Sequence, residues 1–316
     1  MIRPSFYANL KKEGVSNNLF SVDLWTGDGA SSKVITNGLD FLTSGGMVWG
    51  KMRAPTAQNH FFTDTVRGVT RVFTQSTQAE FASNTVTSFN SDGYTIGNAL
   101  NGSGNDYVGW AFLKSPSFFN IVSYTGNGAS SRAIPHGLNN FGFAMIKRQD
   151  ASGHWYTQMV GRGGKYNTLG YSGGETLFSP VFPSAADDTN VYIGDNSAVN
   201  ASGGSYIMCC FANDSSPSGL IRCGSYNSGG SSRAINLGWR PQWVMAKGVT
   251  TFGDWFIYDS ARGVGAGAND QALKANTNSA EMITDNIEFT DTGFTVTNSL
   301  NDSANNPDYI YIAIRE

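Results

Sequence analysis

The chain is 316 residues long, 40% hydrophobic and 13% aromatic but only 14% charged, with a formal net charge of −3. That much apolar side chain can bury two or three cores, which excludes a disordered chain, and the charge balance lacks the basic excess of a nucleic-acid binder. The 38 glycines, against 9 prolines, predict short strands joined by many tight turns.

Residues 1–19 begin MIRPSFYANLKKEG and read as an N-terminal segment without the apolar stretch of a secretory signal. The expectation is a protein made in the cytoplasm without an export signal. No later run has the apolar length of a membrane-spanning helix.

From there the chain repeats itself. VDLWTGDGASSKVITNG from Val22, VSYTGNGASSRAIPHG from Val122 and CGSYNSGGSSRAINLG from Cys223 share an aromatic residue (Trp25, Tyr124, Tyr226), a Gly-rich turn and a basic residue (Lys33, Arg132, Arg233). Each leads into an apolar strand ending at Lys51, Lys147 or Lys247, spaced 96 and 100 residues apart. The ends match as well: DYVGWAFLK (Asp106–Lys114), SYIMCCFAN (Ser205–Asn213) and DYIYIAIRE (Asp308–Glu316) each follow a Gly- or Asn-rich turn. This pattern places three tandem repeats of about 95–100 residues over 20–117, 118–219 and 220–316. The connectors span only a few residues, which implies that neighbouring repeats pack on one another.

In the last strand both alternating sets, Tyr309/Tyr311/Ala313 and Ile310/Ile312/Ile314, are apolar. A strand covered on both faces reads this way. Only one short helical turn, near Asn276–Met282, is expected. The predicted fold class is therefore all-β, each repeat a β-sandwich of jelly-roll or lectin-like form.

Few residues point to chemistry. Cys209, Cys210 and Cys223 lack metal-ligand spacing and read as reduced, buried thiols. His60, His136 and His154 lie far apart. Gly170–Gly174 matches G-x-S-x-G, but that motif needs a strand-to-helix elbow, and a Gly- and Ser-rich β chain produces it by coincidence. No catalytic, metal or cofactor residue is therefore assigned, and the chain is not read as an enzyme. The Asp- and Asn-rich turns, including NDSANNPD, supply oxygen atoms for calcium but lack EF-hand spacing. The N-x-S sequons at Asn101, Asn200 and Asn301 recur at one repeat position and read as turn residues. Arg67, Arg162 and Arg262 recur in DTVRG, MVGRG and DSARG, with Asp64 and Asp259 before two of them and Met159 in the other. They are expected to tie a loop to carbonyls or to a neighbouring repeat. Trp25, Trp49, Trp155, Trp239 and Trp255 are expected to pack in the core, with stacking on sugars the alternative for any that is exposed. Recognition is expected where the repeats differ, at Ala54–His60, Gly163–Pro180 and Gly263–Ala280.

The linked motifs SYTGNG, DWFIYDSARG, FNSDGYTIG and the closing N-x-S-G-x-x-Y resemble tandem-repeat virion and tail-fibre-like proteins of marine tailed phages, cyanophages among them. The resemblance covers nearly everything after residue 20. It implies a virion location, other virion proteins as partners and assembly as a homo-oligomer, a trimer by analogy. It also implies a tail-fibre or tail-tip adhesin binding a host surface glycan or protein. The alternative is a capsid decoration, head fibre or other purely structural part without host-binding activity. The family supplies no catalytic residues, and the second repeat departs furthest from its pattern.

Overall fold

A computed structural model describes residues 18–54, 57–69, 71–177, 180–228, 232–264, 270–297 and 307–316. The first 17 residues, Asn301 and Asp302 lie outside the described residues, as do parts of all three divergent segments and most of NDSANNPD.

The protein is all-β, built of antiparallel sheets stacked as sandwiches. Three six-stranded sheets share one strand order. In the first, the order is Phe20–Thr26, Asp106–Leu113, Gly46–Ala54, Phe61–Asp64, Arg71–Phe73 and Phe81–Ala82. Phe119–Thr125 begins the second and Ile221–Asn227 the third, each beside its own closing strand, Ser205–Ala212 or Asp308–Arg315. Lys51, Lys147 and Lys247 occupy the same register, opposite Val108, Ile207 and Ile310.

A smaller sheet covers one face of each large one. It has three strands in the first and third units (Ser32–Thr36, Gly93–Gly97, Val86–Asn90; Arg233–Asn236, Gly293–Val296, Ile287–Thr290) but two in the second (Arg132–Pro135, Asn190–Ile193). Glycine is required at the hairpin returning to it, because a Cβ on Gly93 or Gly293 would fall 2.0 or 1.9 Å from the carbonyl oxygen of Ile35 or Ile235.

The other face of every large sheet points to one shared core. Ile310, Ile312 and Ile314 enter it together with Val108, Trp110 and Phe112 and with the second unit's Phe143, Met145 and Phe211. Tyr309, Tyr311 and Ala313 face the third unit's own sandwich instead. The doubly apolar strand thus has a physical cause, with a small sheet on one side and the other units on the other. Each large sheet depends on its neighbours to keep water from its inner face.

The units meet in a closed ring of equivalent contacts. Trp155 Nε1 donates to Thr74 O of the first unit (2.9 Å), and Trp255 Nε1 to Thr168 O of the second (3.0 Å). His60 stands at the matching place, its Nε2 3.1 Å from Lys274 O of the third. The recurring lysines do likewise: Lys147 Nζ donates to Ser76 O, Lys247 Nζ to Ser172 O, and Lys51 Nζ reaches Asn278 O. First, second and third units therefore clasp one another cyclically, and the chain's last unit grips its first.

The helical turn expected at Asn276–Met282 is absent. Those residues form a turn and extended chain, and Glu281 N donates to Arg53 O across the closing junction (2.7 Å). Short helices instead lie at Phe41–Ser44 and Ser197–Asn200, capped by the Asp40 and Asn196 side chains.

Candidate functional site

The recurring arginines are tied into the scaffold, Arg262 fully buried and Arg162 partly exposed. Arg262 donates Nε to Asp259 Oδ2 (2.6 Å), Nη2 to Ile257 O (3.0 Å) and Nη1 to Glu281 (3.0 Å). Arg67 repeats this with Asp64 (2.6 Å) and Phe62 O (3.0 Å). Arg162, which has Met159 in place of the aspartate, turns to Glu175 instead (2.7 Å).

Sequence reasoning missed the partner, a recurring glutamate. Glu80, Glu175 and Glu281 each precede the outermost strand of their sheet, and each faces its unit's arginine. Their backbone N–H groups cross to the next unit, at Gln149 O, Val249 O and Arg53 O. The signal was present: a glutamate lies 13 residues after Arg67 and after Arg162, and 19 after Arg262.

Other candidates are likewise absorbed. Asn101 and Asn200 are fully buried. Their Oδ1 atoms accept from Asp28 N and Asn127 N, pinning the TGDG and TGNG turns. Trp25, Trp49, Trp155, Trp239 and Trp255 are all buried, as core packing requires, so none offers a ring to a sugar. The three cysteines are free and buried, and burial pushes their thiols up. Ser172 of the G-x-S-x-G stretch lies in a loop between Lys165–Thr168 and Thr176–Leu177, with no helix after it, and its carbonyl serves Lys247. Among the described residues no three His, Cys, Asp or Glu side chains converge as metal ligands do.

Of the histidines, His60 Nδ1 accepts from Trp49 Nε1 (2.9 Å) and His136 Nδ1 accepts from Leu138 N (3.1 Å). His154 differs: its Nδ1 is buried without a hydrogen-bond partner. It borders a cleft of about 210 Å³ in the second unit, lined also by Tyr156, Tyr166, Asn167, Tyr171 and Gly173. Most of this lining falls inside the divergent segment Gly163–Pro180. Tyr171 is 53% exposed, and its ring rests on Gly173, where a Cβ would stand 2.2 Å from Tyr171 Cε1. Asn167 is 4% exposed and its Oδ1 has no partner. Burial, then the charge of Lys147, holds His154 below the usual histidine range, so the imidazole is neutral near pH 7.

The described parts of the other two divergent segments meet at the closing junction. Gln58 N bonds Asn278 O, and His60 is fully buried.

No curated protein matches the chain. A family match runs over residues 15–316, through all three large sheets, and the chain belongs to the family described as a domain of unknown function, DUF7483.

Proposed function

We propose that this protein is a virion component of a tailed phage that works as a tail-fibre or tail-tip adhesin on the host surface. The observation that carries the binding half of this reading is the division of labour among polar residues. The recurring Arg, Glu, Lys and Asn side chains are consumed by the scaffold. The cleft is instead lined mostly by the segment where one unit departs from the others, with Tyr171 half exposed on it. A rigid β scaffold carrying one divergent, aromatic-lined loop is a binding architecture. The virion half is supported by the motif resemblance.

A purely structural role, as capsid decoration or head fibre, is favoured by a different observation. The outermost strands carry Leu177 and Ile283, each 69% exposed, apolar edges suited to interlocking with a partner. Immunogold labelling of intact particles separates the two. Gold at the tail tip, with antibody blocking of adsorption, is the adhesin outcome; gold over the capsid with adsorption unchanged overturns it.

A further inference from the structure

We propose that His60 is an acid-sensitive latch: its protonation opens the closing junction, releasing the segment that carries Gln58 and His60 from the third unit, while the other two junctions stay shut. The proposal is independent of the adhesin reading.

The bonds around the imidazole fix its protonation state. Trp49 Nε1 can only donate, so His60 Nδ1, 2.9 Å away, accepts and carries no proton. The one ring proton therefore sits on Nε2, which donates to Lys274 O across the junction (3.1 Å). A second proton can go only to Nδ1, where it would face the indole N–H donor to donor and break the Trp49 bond. The imidazole is fully buried, with the Trp49 and Trp110 ring centroids 5.7 and 6.4 Å away, so an imidazolium there would also lack hydration.

No neighbour offsets that charge. Lys51 faces His60 from the strand Gly46–Ala54 and Arg262 from the short helix Ser260–Arg262; both are cations, and with burial they keep the imidazole neutral. The carboxylates of the junction are already engaged, Asp259 and Glu281 with Arg262, Glu281 also with Arg53, and Asp254 with Lys274. Opening lets the imidazolium reach water and move away from Lys51 and Arg262.

The segment crosses to the third unit through few polar contacts. Gln58 N donates to Asn278 O (3.0 Å), His60 Nε2 to Lys274 O, and Lys51 Nζ lies 3.5 Å from the same Asn278 O. At the other junctions Trp155 and Trp255 make the equivalent bonds, and an indole does not titrate. His154, in the second unit, has no hydrogen bond at Nδ1 for a proton to break. A free imidazole takes up its proton below about pH 6.5, whereas the closed latch does not. The open population therefore grows up to about tenfold for each pH unit below that point.

Hydrogen exchange of the full-length protein, read by NMR at pH 7 and pH 5 and corrected for the intrinsic pH dependence of exchange, tests the latch. Reporter amides cross every junction: Gln58 and Glu281 at the closing one, Glu80 and Gly153 at the first, Glu175 and Gly253 at the second. Protection of Gln58 and Glu281 should fall about 25-fold at pH 5, the ratio for a group of pKa ~6.5 that protonates only when the junction is open. The other four should change less than threefold. His60→Gln keeps a donor for Lys274 O but cannot titrate, and it should abolish the acid response of Gln58 and Glu281. Trp49→Met/His60→Trp, which installs the residues of the linked junctions, should abolish it as well. The inference is overturned if Gln58 and Glu281 keep their protection at pH 5, or if all three junctions lose it together. It is equally overturned if the response survives in either folded variant, because acids other than His60 would then drive it.

Discussion

Two kinds of junction hold the ring together. The junctions between first and second and between second and third units join segments linked by short connectors, and each is keyed by a buried tryptophan, Trp155 or Trp255, donating to the preceding unit. The junction between third and first units joins the two ends of the chain and is keyed by His60. Around it stands a polar clamp that the others lack. Arg53 grips Glu281 through Nε and Nη2 (3.0 and 2.7 Å) and Gln271 (2.6 Å), while Trp110 Nε1 donates to Asp259 Oδ2 (3.0 Å). The residues matching Arg53 are Gln149 and Val249, and those matching Trp110 are Cys209 and Ile312. The lesson is that the shared apolar core and the repeated bonds to backbone carbonyls suffice where the chain already brings two units together. Where closure must be found across the whole chain, directional groups fix the fit.

The largest break in this comparison is expected at Arg262. Its side chain and that of Asp259 are both fully buried, so Arg262→Ala leaves a carboxylate without its counter-charge. That should cost about 3–5 kcal/mol. Arg162→Ala, at a linked junction where the arginine is 17% exposed and Lys165 still faces Glu175, should cost about 1 kcal/mol. Equilibrium denaturation of both variants checks the order; equal losses would remove the distinction between the junctions.

The next break concerns shape. Trp49 with His60 in the first unit stands where Met145 with Trp155 and Met245 with Trp255 stand in the others, a large residue moved from one strand to its neighbour. His60→Trp alone overfills the site and should cost about 1–3 kcal/mol. Adding Trp49→Met should recover all but about 1 kcal/mol of that loss, measured on the same denaturation curves.

The same double variant sharpens a pH difference. Burial, aided by the charge of Lys51, holds His60 well below the usual histidine range. A depressed folded-state pKa means that the unfolded chain binds the extra proton first. Stability contributed by neutral His60 is therefore present above about pH 6.5 and declines as pH falls below it, by up to about 1.4 kcal/mol per unit. The parent should lose about 1 kcal/mol between pH 7 and 5.5 that Trp49→Met/His60→Trp retains.

Much of this was legible in the residues. Two apolar sets in one strand foretold a sheet covered on both faces, and the recurring arginine read correctly as a loop tie. The ring was not legible, because the contact that closes it joins Lys51 to Asn278, and His60 hides an equivalence that two tryptophans display. Nor was the departure of Met159. Cys209 feels the charge of Asp64 across the first junction, and Trp110 bonds Asp259 across the third. At the second, Ile312 and Met159 both lie in the shared core, so the lost aspartate matches an apolar partner. The cleft lies largely in Gly163–Pro180, one of the segments that divergence singled out. Its shape was invisible, because it depends on which strands surround it.

The smallest expected effect compares two lysines. Burial pushes Lys147 down to about 7 and Lys51 only to about 8, since the Glu281 carboxylate draws Lys51 back up. Both values lie below the ordinary 10.5, so the unfolded chain holds more protons over that interval, and stability rises with pH between about 7 and 10. The difference between the lysines belongs to the closing junction, because Glu281 reaches across it, whereas no acid raises Lys147. Glu281→Gln keeps the shape and removes the charge. It should bring the Lys51 midpoint down by up to about one pH unit, towards that of Lys147, which should not move. Titration of the lysine ¹³Cε resonances reads both sites in one sample. An unmoved Lys51 would mean that burial alone sets it and that the clamp does not act on the buried amine.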